Sequence, residues 1–304
     1  YEQGLGVERD LEQGFRWLRM AALQGDAASQ AILGKHYEFG IGTERDPELA
    51  VAWYRKAVQG NDPEGKCCLG WLMEQGKWVD RDPEGAIELY RQAAGQGSSR
   101  GLLLLADCLF HGIGTEENPA LAVRCYEKGA AGGDTDAMCC LGWCYESGAG
   151  VEQSWEQAAA WYRRSAEGGN GRAMGNLAWC FDNGKGVEQD EAEAARWYQK
   201  GAEAGDVRSM YCYAYCCEYG EGVDPDLEQA VLWYRRAAEE GETTAMLRLG
   251  GLYENGEGVE RDRPEALRWY RRAADQGSGD AKLQAERLAE ELNGETGGTP
   301  DPAH

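Results

Sequence analysis

Apolar residues come in short bursts three or four positions apart, and glycines close each burst. From Asp136 to Ser147 the residues Ala137, Leu141 and Tyr145 recur at spacings of four, which places them on one face of a helix. At about 100° per residue, Asp136, Cys139, Trp143, Glu146 and Ser147 fall on the opposite face. Gly148 and Gly150 then break the helix and permit a positive-φ turn. A second helix is predicted from Ser154 to near Gly169. Ser154 is an N-capping residue, and its hydroxyl can accept from the free N–H groups of the first turn.

This helix pair recurs. Trp17, Trp53, Trp161, Trp197, Trp233 and Trp269 lie on a 36-residue grid, with Leu89 and Cys125 at the two remaining positions. Tyrosine follows at 54, 90, 126, 162, 198, 234 and 270, and glycine occupies 40, 76, 112, 148, 184, 220 and 256. Alanine holds 50, 86, 122, 158, 194, 230 and 266. The second helix of each unit, helix B, begins at Asp10, Asp46, Asp82, Asn118, Ser154, Asp190, Asp226 and Asp262. Losing one such cap costs about 1 kcal/mol. Pro47, Pro83 and Pro119 stand at the first helical position, where a missing N–H does no harm. Helix A, the first of each pair, carries a small-residue column: Ser29, Gly65, Gly101, Ala137, Ala173, Ser209 and Ala245. It predicts close approach of paired backbones. Residues 27–278 make seven full units without net insertion, and residues 1–26 read as a partial N-terminal repeat. Tyr1 aligns with Tyr37, so the reading expects further residues upstream. Residues 279–294 read as a capping helix in which Leu283, Leu288 and Leu292 cover the last unit. Residues 295–304 read as a disordered tail.

Composition narrows the function classes. The 304 residues hold 31 basic and 53 acidic side chains, a net charge of −22. Such a surface repels nucleic-acid phosphates and anionic lipids, and attracts partners rich in Lys and Arg. No apolar stretch approaches 18 residues, so membrane insertion is not expected. Only His36, His111 and His304 are present, and no phosphate-binding glycine loop follows a strand. No catalytic residues and no cofactor are predicted.

The stretch "DAMCCLGWCYESGAGVEQSWEQAAAWYRRSAEGGN" resembles a Sel-one-like repeat, a relative of the tetratricopeptide repeat, and the likeness covers nearly the whole chain. It implies an all-α fold, an α/α solenoid wound as a right-handed superhelix in which each repeat stacks on its neighbours. It also implies an adaptor or scaffold for protein assembly, although fold alone does not settle function. In tetratricopeptide repeats the positions equivalent to the variable face of helix A line a concave groove that binds partners. Here one column of that face reads Lys35, Trp71, Asp107, Trp143, Trp179, Tyr215 and Gly251, with Tyr211 one turn before Tyr215. An acidic row runs beside it: Glu38, Glu74, Glu146, Asp182, Glu218 and Glu254, interrupted by Phe110. Trp71, Trp143, Trp179, Tyr211 and Tyr215 are the candidate anchors, with Glu74, Glu146, Asp182 and Glu218 as the complement to a basic, apolar-anchored protein or peptide. The alternative for the aromatics is packing on one another. Arg100, Arg172 and Arg208 begin the same face and offer cations for a carboxylate.

Eleven cysteines invite a thiol-metal reading, by zinc or iron–sulfur, as the alternative function. Cys140 and Cys144, like Cys212 and Cys216, are one turn apart, but neither pair is a CxxC motif. The column Cys108, Cys144, Cys180 and Cys216 lies on the core side, where cysteine acts as a small apolar residue. Cysteine-rich relatives bridge helix B to the next helix A, and the helix-B position is Ala or Val throughout this chain. Reduced thiols and a cytoplasmic setting are the expectation. Hydrolase activity has been proposed for some relatives; here it has no visible residues.

Overall fold

The computed structural model describes residues 10–296. Its chain contacts divide the protein into two compact units, residues 1–154 and 155–304. In the first, the described residues form α1 (Leu11–Leu23), α2 (Ala27–Phe39), α3 (Pro47–Gln59), α4 (Pro63–Gln75), α5 (Pro83–Gly95), α6 (Ser99–His111), α7 (Pro119–Ala131) and α8 (Thr135–Ser147). The second holds α9 (Trp155–Glu167), α10 (Gly171–Asn183), α11 (Glu191–Glu203), α12 (Val207–Tyr219), α13 (Leu227–Glu239), α14 (Thr243–Asn255), α15 (Arg263–Asp275) and α16 (Gly279–Thr296). There is no strand among the described residues. Within each unit successive helices pack as antiparallel pairs, the all-α repeat architecture anticipated from the 36-residue period.

The capping columns act as predicted. Asp46 accepts from Leu49 N–H at 2.9 Å, Asn118 from Leu121 N–H at 3.0 Å, and Asp226 from Gln229 N–H at 3.0 Å. The A helices are capped too, a feature the periodicity had left unread: Asp62 accepts from Gly65 N–H at 2.6 Å and Asp206 from Ser209 N–H at 2.8 Å. Each A helix closes on a left-handed glycine, from Gly40 (φ 72) to Gly256 (φ 77). Arg or Gln seven residues beyond the acidic row then bonds back to the last turn, as Arg45 Nε does to the Glu38 carbonyl at 3.1 Å.

Two glycine columns record close packing. The ring of Tyr54 lies flat against Gly34, where a Cβ would come within 2.5 Å of Cε1. Tyr90 covers Gly70 and Tyr270 covers Gly250 in the same way. That contact explains a glycine inside a helix, which otherwise costs about 1 kcal/mol relative to alanine. In the small-residue column a Cβ at Gly101 would come within 2.7 Å of the Ala93 Cβ, so the close approach read from that column is real.

The repeat tryptophans carry a second regularity. Three residues after five of them a cation stacks on the ring: Lys56 on Trp53 at 4.0 Å, Arg164 on Trp161 at 4.6 Å, Lys200 on Trp197 at 4.1 Å, Arg236 on Trp233 at 4.6 Å and Arg272 on Trp269 at 5.3 Å; after Trp17 the position is Met20.

Helix α16 corrects one expectation. Ala281, Ala285 and Leu288 are buried with Leu292 packed beside them, while Leu283 is 65% exposed. The covering stripe follows i, i+4, i+7, i+11, and Leu283 falls on the other side of the helix. The helix runs to Thr296, and residues 297–304 of the tail lie outside the described residues.

Candidate functional site

The candidate face is the variable side of each A helix, and its acidic edge meets the B partner. Its acidic row has a structural task first. Tyr54 donates to Glu38 Oε2 at 2.7 Å, Tyr90 to Glu74 Oε2 at 3.0 Å, Tyr234 to Glu218 Oε2 at 2.7 Å and Tyr270 to Glu254 Oε2 at 3.0 Å. In each pair the acid stands 16 residues before the tyrosine. The third repeat shows how strict the requirement is. Phe110 replaces the acid there, and Tyr126 donates instead to Asp107 Oδ1, one turn upstream, at 2.6 Å. Buried hydroxyls need partners, and here a neighbouring column supplies one. Burial, with the carboxylate alongside, pushes each of these tyrosines above its ordinary pKa.

Of the four acids predicted to meet a partner, Glu74 and Glu218 therefore already hold a tyrosine. Asp182 is half-buried, and burial together with Glu191 raises its carboxyl above the ordinary value. Glu146 is half-buried and its carbonyl accepts from Gln153 at 2.8 Å. Arg100 is engaged within the chain. It meets Glu64, which Lys35 also reaches at 2.5 Å, so one carboxylate joins α2, α4 and α6. Burial opposes ionisation of Glu64, but the two cations prevail and hold its carboxyl below the ordinary value.

The predicted aromatics occupy different settings. In the first unit Trp71 is half-buried and its ring is closed by Lys77, whose Nζ lies 4.8 Å from the Trp71 centroid and 4.3 Å from that of Trp78. Glu38 completes the enclosure, 3.7 Å from the same ammonium. Trp143, on α8, is 44% exposed and meets Phe110 edge to face at 5.2 Å. In the second unit Trp179 packs on Trp155 at 5.6 Å, and Lys185 stands 5.6 Å from the Trp155 ring. Tyr211 turns toward helix B and contacts Tyr234 at 5.7 Å, whereas Tyr215 packs on Tyr219 at 4.5 Å. Arg248 donates to the Tyr219 hydroxyl at 2.9 Å. Beside it, at Gly251, the column has no side chain, and a hollow of about 480 Å³ opens among Tyr219, Leu247, Arg248, Gly251 and Tyr270.

Two corrections follow. Cys139, placed with Trp143 on the open face by the helical wheel, is buried. The column that carries Cys139 and Tyr211 borders the core, so neighbouring helices leave an open strip narrower than half the helix. The structure also adds Lys77 and Trp78 to the face. Trp78 occupies the register of Gly42, Gly114, Gly150, Gly186, Gly222 and Gly258 and keeps the left-handed backbone of that register, at φ 63. A bulky residue there is strained, and the break in the glycine column was a signal available in the sequence. Trp78→Gly is expected to be about 1 kcal/mol more stable than Trp78→Ala, because only glycine takes this φ without cost. Equal urea midpoints for the two variants would refute the strain.

The cysteines divide as environment dictates. Burial pushes Cys68, Cys108 and Cys216 up to about 12, and Cys67, Cys144 and Cys212 up to about 11. Nucleophilic attack needs the thiolate, so burial disfavours it at these positions near neutrality. Among the described residues no three His, Cys, Asp or Glu side chains converge as a metal site. None of the described helices is long and apolar enough to cross a membrane.

Comparison with known proteins agrees with this geometry. The Sel1 repeat profile matches residues 1–26, 27–62, 68–98, 99–134, 135–170, 171–206, 207–242 and 243–278. Among curated proteins none matches the sequence. Among solved structures, a protective antigen of uropathogenic Escherichia coli strains with an SLR fold is 32% identical, with a TM-score of 0.69. The match covers 96% of this chain and 63% of that one, so this chain spans under two thirds of that relative. A Sel1 repeat protein of Oxalobacter formigenes is 31% identical, with a TM-score of 0.75 over 91% of this chain and 80% of that one. Yeast Tom70, at 14% identity and a TM-score of 0.55 over 96% of this chain and 61% of its own, shares the fold alone.

Proposed function

Because the chain belongs to the Sel1 repeat family, we propose that it is a protein-interaction scaffold whose A-helix face receives a protein or peptide with basic and apolar anchor residues. Repeat proteins of this kind are generally scaffolds, and the reading here is one of binding without catalysis. The observation that carries it is Trp143, a large aromatic left 44% exposed on a face the repeat does not need for its own packing. Large aromatics of this sort dominate interface energetics. Trp71 and Trp179 stand in the same column, and Tyr211 and Tyr215 extend the aromatic surface of the second unit. Glu146 and Asp182 lie half-buried in the acidic row. Glu74 and Glu218 add negative potential while holding their tyrosines. The net charge of −22 favours a basic partner over an acidic one.

Alanine at Trp143 and Trp179 together is expected to lower partner capture from native lysate roughly tenfold or more. Helical circular dichroism should stay at the parent level. Loss of helicity in the double variant would make the tryptophans structural and remove the basis of the proposal. Stoichiometric metal in purified, tag-free protein would instead favour the thiol-metal reading.

A further inference from the structure

Trp71, Trp143 and Trp179 share one register, and six residues after each the chain reads Lys77, Ala149 and Lys185. Lys77 sits between the rings of Trp71 and Trp78, with Glu38 beside its ammonium. Lys185 reaches the Trp155 ring that packs on Trp179. In the register of Lys77 and Lys185, the residue six after Trp143 is Ala149, which carries no charge. Among the described residues the ring contact of Trp143 is with Phe110, set at 71° to it, and no ammonium or guanidinium stands over it. The first unit therefore contains the same register twice, once with its cation in place and once without.

We infer that the corner formed by Trp143 and Phe110 is a subsite for an arginine side chain of the partner, seated where Lys77 sits beside Trp71. The inference rests on the binding reading above and specifies one residue of the ligand. A cation over an aromatic face is attracted by the ring quadrupole, and the acidic surface raises the local concentration of basic segments. The identity of the second wall selects arginine over lysine. Phe110 occupies the register in which Glu38 faces Lys77, so this corner offers two rings and no carboxylate at that point. An ammonium gives up strong hydration there without a counter-charge. A guanidinium is more weakly hydrated and stacks on aromatic planes.

The test uses the full chain labelled with 5-fluorotryptophan, with the Trp143 resonance assigned through Trp143→Phe. The probe is the blocked peptide Gly-Arg-Gly-Arg-Gly, alongside versions in which Lys or Gln replaces Arg. The expected result is a saturable shift of the Trp143 resonance with the Arg peptide, a response several-fold weaker with Lys, and none with Gln. Ala149→Lys, which sets the chain's own ammonium over the ring, should weaken the Arg response roughly tenfold with an unchanged melting temperature. Equal shifts with the Gln peptide would mean apolar docking and overturn the inference. So would a Trp143 resonance unmoved at millimolar peptide, or an Arg response unaffected by Ala149→Lys. If any of these occurs while alanine at Trp143 and Trp179 still abolishes partner capture, the binding face stands and only the arginine subsite falls.

Discussion

Above about pH 10, the ordinary ionisation range of tyrosine, the protein is expected to lose its helices over a narrow pH interval. Tyr54, Tyr90 and Tyr126 in the first unit, and Tyr234 and Tyr270 in the second, are buried and donate to carboxylates. Burial and the adjacent negative charge raise all five in the folded state. An acid whose folded pKa is raised contributes stability that is complete below the unfolded pKa. That contribution fades as the pH climbs from the unfolded value toward the folded one. In that window the unfolded chain has released the phenolic protons and the native chain has not. Unfolding therefore becomes easier by about 1.4 kcal/mol per pH unit for each such tyrosine. Several acting within one cooperative unit produce a steep transition. Circular dichroism and phenolate absorbance followed together against pH would test this. Coincident changes are expected, and tyrosines that ionise near pH 10 with the helices intact would contradict it.

Gly186→Ala is expected to cost roughly 2–4 kcal/mol, combining a left-handed backbone with a steric clash. Gly186 has φ 70, and a Cβ there would lie 2.0 Å from the carbonyl oxygen of Trp155 at the start of α9. Backbone cannot rotate aside as a side chain can, so the loop and α9 must separate. Gly205 provides the control. It has φ 91 with nothing within 4 Å of the added carbon, so Gly205→Ala should cost only about 1 kcal/mol of conformational strain. Urea denaturation of the two variants would separate the terms, and equal losses would show that the contact with α9 is unimportant. Trp78 shows that this register admits a side chain where the surrounding loop is shaped for it, in a backbone that still favours glycine.

The open face was legible as a column but not in its state. Helical spacing put Trp71, Trp143 and Trp179 in one register, and they do share one. It did not show that Lys77 closes Trp71 or that Phe110 flanks Trp143. It also placed Cys139 on the open side, because a helical wheel records direction and not the width of the neighbouring helices. The acidic row was legible as a repeat feature. Its bond to the tyrosine 16 residues later was not, since that bond crosses from one helix to the next and depends on how they pack. The rescue of Tyr126 by Asp107 lies in the same class: two substituted columns compensate one another only in three dimensions.

What the amino-acid sequence determined alone is the all-α repeat, its helix boundaries and its points of close approach. Those follow from capping, glycine conformation and side-chain volume, which act over a few residues and recur every 36. Tertiary structure decided which polar and aromatic groups remain available. A carboxylate, a lysine or a tryptophan on a variable face is spent or spared according to what the adjacent helix brings within a few ångströms. Trp71 with Lys77 and Trp143 with Ala149 stand at the same register, and it took the packing to show that Lys77 lies over the Trp71 ring while Phe110 flanks Trp143.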